Sequence, residues 1–289
     1  MRLRLFLCAV VLVGCSKGED EGTPSIEPPD LQIVSAGSAP RQLLAYQPVQ
    51  GSSVTLDLAV DVSVSAGEMG GPMPTIVLTL SVAVDAALPV GTMLRTTVVD
   101  AVARDRDDSR VPAVALGGPL GLMKGVVLTS MLTPSGRIVG TRVRTEQALP
   151  DTAKSQLSAL VANFDQLVMP LPREPVGVGA VWRNSRPLEQ NGMRMTAVNS
   201  IELLGVTEHK LSYAIDTEVH GPDQSVSQGG MTIDITGITG TGRGKGTIDL
   251  RTLAVSSELT SNFRSSMKAT GEGQALPMQM TVTTHVTPR

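Results

Sequence analysis

Aromatic side chains are nearly missing from this chain. Its 289 residues include three Phe, two Tyr and one Trp. A buried interior must therefore be assembled from Val, Leu, Ile, Ala and the 13 methionines. Cysteine is scarcer still. Cys8 and Cys15 are the only two, so nothing downstream of residue 15 can form a disulfide, and stability must come from apolar burial. Basic stripes are missing as well. Lys and Arg total 24 against 27 acidic residues, a formal charge of −3, and no segment concentrates them, which excludes nucleic acid as a partner. The three histidines, His209, His220 and His285, lie far apart with no His-x-x-x-His spacing and no cysteine to help them, so no metal site is expected. The N-terminal apolar run is short. Leu5–Val13 is about nine residues, where a spanning helix needs about 20.

That run has its own meaning. Met1-Arg2-Leu3-Arg4 supplies a positive n-region ahead of it, the composition of a secretory signal. Leu12-Val13-Gly14-Cys15 then resembles the lipobox of bacterial lipoproteins. The resemblance implies cleavage between Gly14 and Cys15, diacylglycerol on the Cys15 thiol and acylation of the new amine. It places the protein in the cell envelope, held to the membrane by lipid at Cys15. Ser16 stands where an aspartate would imply retention in the inner membrane, so the outer membrane is favoured. Removing residues 1–14 also removes Arg2 and Arg4, making the mature chain more acidic.

Residues 15–41 read as the lipidated cysteine and a flexible tether. They hold Glu19-Asp20-Glu21 and prolines 24, 28, 29 and 40, with little to bury. Residues 42–289 read as one β-rich domain, rich in Val, Thr and Gly. A first strand is expected over 42–49. Val54, Leu56, Leu58, Val60, Val62 and Val64 then alternate with smaller or polar residues, as do Ile76, Leu78, Leu80, Val82 and Val84. Period two over six cycles makes a half-buried strand, and the two should pair as an antiparallel hairpin around the loop 67–74. Further strands are expected over 92–104, 193–204, 210–219, 230–238, 245–263 with an internal turn, and 278–286. Pro134-Ser135-Gly136 should turn 123–133 back into 137–147.

One helix is expected, over 151–169. Ala153, Leu157, Leu160, Val161, Phe164 and Leu167 fall at helical spacing, Asp151 can cap the first turn and Pro170 ends it. Such a stripe needs a sheet to cover it. Similar runs at Lys124-Gly125-Val126 and Lys245-Gly246-Thr247 raise a weak internal duplication around this helix. After it, Pro175-Val176-Gly177-Val178-Gly179-Ala180-Val181-Trp182 resembles a run found in uncharacterised bacterial envelope lipoproteins, a resemblance that implies no activity. Its glycines allow close backbone approach, and the lone Trp182 is expected in the core.

The motifs that could carry chemistry fail on position. Around Asp105-Arg106-Asp107-Asp108, a calcium loop would want glycine where Arg110 stands and a glutamate further on, so the segment reads as a solvated turn. The glycine run 237–246 lacks the Gly-Lys-Ser/Thr of a phosphate loop and leads into a strand pattern. It reads instead as a bend or bulge in a sheet. Ser265-Ser266-Met267-Lys268 matches a serine–lysine spacing whose partner elements are missing. No enzyme and no cofactor are expected.

The expected architecture is mainly β: a curved antiparallel sheet of about ten strands, a half or open barrel, with the amphipathic helix on its concave face. The expected function is that of a lipid-anchored, non-enzymatic binding module for an apolar ligand or lipid. Leu160, Phe164, Trp182, Met193 and Met195 are its candidate lining residues. The alternative is an envelope scaffold or interaction protein with a dry core.

Overall fold

Alternating valines and leucines build strands, and the computed structural model shows them joined into one antiparallel sheet. It describes residues 30–66, 69–109, 111–145, 168–190, 193–228, 231–269 and 275–289. The strands are β1 (Asp30–Ser35), β2 (Ser53–Ala66), β3 (Met69–Pro72), β4 (Thr75–Leu88), β5 (Gly91–Arg104), β6 (Val127–Leu132) and β7 (Ile138–Arg144). They continue with β8 (Val181–Gln190), β9 (Met193–Thr207), β10 (Lys210–His220), β11 (Gln224–Gln228), β12 (Met231–Asp249), β13 (Val255–Ala269) and β14 (Leu276–Pro288). One helix, α1 (Val114–Gly121), lies between β5 and β6.

The sheet has 14 strands in the order β1-β8-β9-β10-β12-β13-β14-β2-β4-β5-β6-β7, with β11 on β12 and β3 on β2. The edge strands β1 and β7 do not pair, so the sheet is not closed into a barrel. Fourteen strands replace the expected ten because short or polar segments escape a periodicity search. β1 is the clearest case. Asp30–Ser35 falls inside the expected tether, yet it pairs with β8, Ile33 opposite Trp182. The sheet thus begins upstream of residue 42. Conversely, 42–49 is no strand. It crosses one end of the sheet as an irregular segment held by Tyr46 N–H to Pro134 O and Gln47 N–H to Leu250 O, burying Leu44 and Tyr46.

The expected hairpin forms, Leu56 opposite Leu80 and Leu58 opposite Leu78, and β6 and β7 pair around Pro134-Ser135-Gly136. The glycine run is not a break between strands, as expected, but part of β12, a single strand of 19 residues. A bulge falls between Thr236 and Thr239, with Gly237 at φ +64.

The helix expected over 151–169 lies, up to residue 167, outside the described residues; Val168 and Met169 are not helical. Residues 1–29, with Gly14 and Cys15, also lie outside them. The helix that is described, α1, was not expected. Val-Ala-Leu-Gly-Gly-Pro-Leu-Gly is a poor helix former by propensity. It is held by tertiary burial of Leu116 and Leu120, and the Asp105 carboxylate accepts the Ala113 N–H just before it at 2.7 Å.

The main core sits against one face of the sheet, here the inner face, towards one end. Leu44, Tyr46, Leu80, Leu128, Trp182, Leu203 and Ile248 belong to it, with Leu116 and Leu120 of α1. We call this the packed end. The opposite, open end carries the β2–β4, β8–β9 and β13–β14 turns.

Candidate functional site

Opposed residues of an antiparallel pair share a face, so register decides which side chains meet on the inner face. Trp182, Ile201 and Ile215 stand in one row. One step towards the open end, Asn184 lies opposite Asn199, Asn199 opposite Thr217, Thr217 opposite Gly242 and Gly242 opposite Ser261. A further step gives Arg186, Ala197, Val219, Gly240, Phe263, Met280 and Val64. A polar row therefore crosses the face beside the apolar row of Trp182, Ile201 and Ile215.

The polar row is sheltered. Asn184 is 4% and Asn199 6% exposed. The Thr217 hydroxyl donates to Asn199 Oδ1 at 2.8 Å. Among the described residues, Asn184 Oδ1 is buried and has no hydrogen-bond partner. A buried acceptor without a donor costs about 1–3 kcal/mol, so this atom is costly as it stands.

The glycines of β12 shape the same face. Gly240, Gly242, Gly244 and Gly246 all point inward, between Val219, Thr217, Ile215 and Tyr213 on one side and Phe263, Ser261, Leu259 and Ser257 on the other. Their neighbours lean over the bare strand. A Cβ on Gly244 would stand 2.5 Å from the Glu258 carbonyl oxygen, and one on Gly246 would stand 2.8 Å from the Tyr213 hydroxyl. Tyr213 and Ser257 share a hydrogen bond there. Burial raises the Tyr213 hydroxyl above the ordinary phenol range, and the bond to Ser257 works against that shift. Tyr46, fully enclosed at the packed end, is pushed up by burial and by Tyr213 nearby, while its hydroxyl donates to Met169 O at 3.0 Å.

Trp182 is where the sequence placed it, in the core at 0% exposure. Its indole N–H donates to Pro170 O at 2.9 Å. Met193 and Met195 are half-buried and share its face. They stand six and eight residues from Ile201 along β9, roughly 20 Å or more by strand rise, so they do not meet Trp182. Leu160 and Phe164 lie outside the described residues. Asn184 and Asn199 were missed because neither has a sequence signal; only register brings them together. The glycines 177 and 179 do allow close approach, with Gly177 N–H on Ala36 O and Ser38 N–H on Val178 O. A surface hollow of about 220 Å³ beside them is lined by Pro40, Gln42, Val178 and Val206 among others, and not by Trp182, Met193 or Met195.

The outer face is ionic. Asp85 is a solvated strand residue paired with Arg95 at 2.9 Å. Asp57 and Asp61, at polar positions of β2, are more enclosed than a fully solvated strand face would leave them. Asp57 accepts from Thr79 at 2.8 Å and Arg289 at 2.7 Å, and Asp61 accepts from the Thr75 hydroxyl. Burial works against the Asp57 carboxylate, yet the bonds from Arg289 and Thr79 and the charges of Arg289 and Arg104 outweigh it and lower its pKa. Every one of these carboxylates already has a cationic or hydroxyl partner. Among the described residues no group of three His, Cys, Asp or Glu could hold a metal ion, and no helix is long and apolar enough to cross a membrane. Ser265, Ser266 and Lys268 lie within β13, away from any helix start.

Residues 145–253 match a family of unknown function (DUF6263). The matched region runs from the end of β7 through β12 and contains Trp182, the polar row from Asn184 to Thr217, and the inward glycines. No curated protein matches the chain.

Proposed function

We propose that this is a lipid-anchored, non-enzymatic binding module of the bacterial cell envelope that holds an apolar ligand or lipid on the inner face of its sheet. The observation that carries the reading is the contrast along that face. At the packed end the side chains are almost fully enclosed. Towards the open end Val60, Val62, Val64, Phe263, Met280 and Val282 face the same side and remain only half-buried. Half-exposed apolar groups on one continuous surface invite a partner. Methionines there suit flexible chains, because Met fills irregular space.

In this reading the sheet is a curved half-barrel with Leu160 and Phe164 facing its concave side. The anchor is Cys15, processed after Gly14, with the outer membrane favoured.

Native mass spectrometry of the protein extracted mildly from its own host tests the function. A copurifying lipid supports the carrier reading, and a clean apo mass shifts the balance to the dry-core scaffold. Mass analysis of the mature N-terminal peptide tests the anchor. An unmodified Cys15, or an N-terminus elsewhere, overturns it.

A further inference from the structure

We infer that the polar row Asn184–Asn199–Thr217 is a recognition site for a hydrogen-bond donor, a hydroxyl or amide N–H, carried on an otherwise apolar ligand. The inference rests on the proposal that the inner face holds such a ligand, and it names what that ligand must carry. Its basis is an imbalance of donors and acceptors. The Thr217 hydroxyl donates to Asn199 Oδ1, which gives that acceptor a partner. Asn184 Oδ1, opposite Asn199, receives nothing from the described residues, and its residue is 4% exposed.

Towards the packed end the next row is Trp182, Ile201 and Ile215, and the Trp182 N–H is already given to Pro170 O. Towards the open end the next row is Arg186, Ala197 and Val219, and Asn184 Oδ1 takes no hydrogen bond from it. A ligand lying along the strands would set its chain on Trp182, Ile201 and Ile215 on one side and on Ala197 and Val219 on the other, and cross the polar row once. A hydroxyl or amide N–H at that crossing would give Asn184 its missing partner. A bare hydrocarbon or an ether would leave the oxygen unpaired, and sites that bury an unpaired polar group discriminate strongly against ligands lacking the matching one.

The test uses the full acylated protein in nanodiscs with two probes, 1-dodecanol and dodecyl methyl ether, in the second of which a methyl group replaces the hydroxyl hydrogen. Trp182, two residues from Asn184 on β8, is the only tryptophan and reports binding through its emission. The expected result is saturable binding of dodecanol at least tenfold tighter than of the ether. Asn184→Leu should abolish that preference while still binding the ether. Equal affinity of the two probes for the wild type, or a preference that survives in Asn184→Leu, overturns the recognition site and leaves the carrier reading standing. Binding of neither probe overturns both.

Discussion

Tyr213 and Ser257 stand on strands that do not pair, yet their hydroxyls meet across Gly246 of the strand between them. The contact exists because β12 presents no inward side chains from Gly240 to Gly246. Bare backbone lets β10 and β13 close over it, which marks β12 as a crease in the sheet.

Side chains added along that crease should therefore be costly. Gly244→Ala sets a Cβ against the Glu258 carbonyl, and backbone cannot swing aside as a side chain can. A loss of about 1–3 kcal/mol is expected. Gly205→Ala, whose nearest atoms are Ser212 Cβ and Oγ at 3.9 Å, should be neutral or slightly stabilising. Urea melts that rank the two alike would remove the crease.

Trp182 should emit at short wavelength in the folded protein, since its ring is fully enclosed. Trp182→Phe keeps most of the packing but strands the Pro170 carbonyl, at a cost of about 1–3 kcal/mol. Thermal melts measure the cost. A water-like emission maximum in the native protein contradicts the burial.

Asp57 makes a pH-dependent contribution. Its folded pKa lies below the unfolded value, so the stabilisation is fully present above the unfolded pKa, near 4. It is lost as pH falls through the lower folded value. Asp57→Asn should lower stability at pH 7 by up to about 1 kcal/mol and flatten the acid limb of the stability curve. Parallel acid limbs for wild type and variant would show that Arg289 and Thr79 do not hold the carboxylate.

Thr96 offers a gain. Its hydroxyl is buried beside β6 without a partner among the described residues, and its residue is 0% exposed. Thr96→Val keeps the shape and removes the desolvated oxygen, so a rise of about 1 kcal/mol is expected. A drop in melting temperature would mean that the hydroxyl is hydrogen-bonded after all.

The sequence by itself determined the elements whose signal is local and repeated. Period-two alternation gave β2 and β4 and their pairing, because one wet and one dry face leave their mark on every second residue. A lone tryptophan in a chain poor in aromatics was legible as core for the same reason of scarce apolar volume. Tertiary structure decided the rest. Asp30–Ser35 carries too little pattern to announce a strand, and became one because β8 offered an unpaired edge. Val114–Gly121 opposes helix formation locally, and is helical because Leu116 and Leu120 are drawn into the core. The glycine run read as a bend or bulge, and the bulge is there at Gly237, but only the neighbours on both sides made the rest of the run one continuous strand. Asn184, Asn199 and Thr217 are scattered over more than thirty positions, and no spacing links them. Their row exists only through strand register, a property of long-range hydrogen bonding that no short stretch of sequence contains.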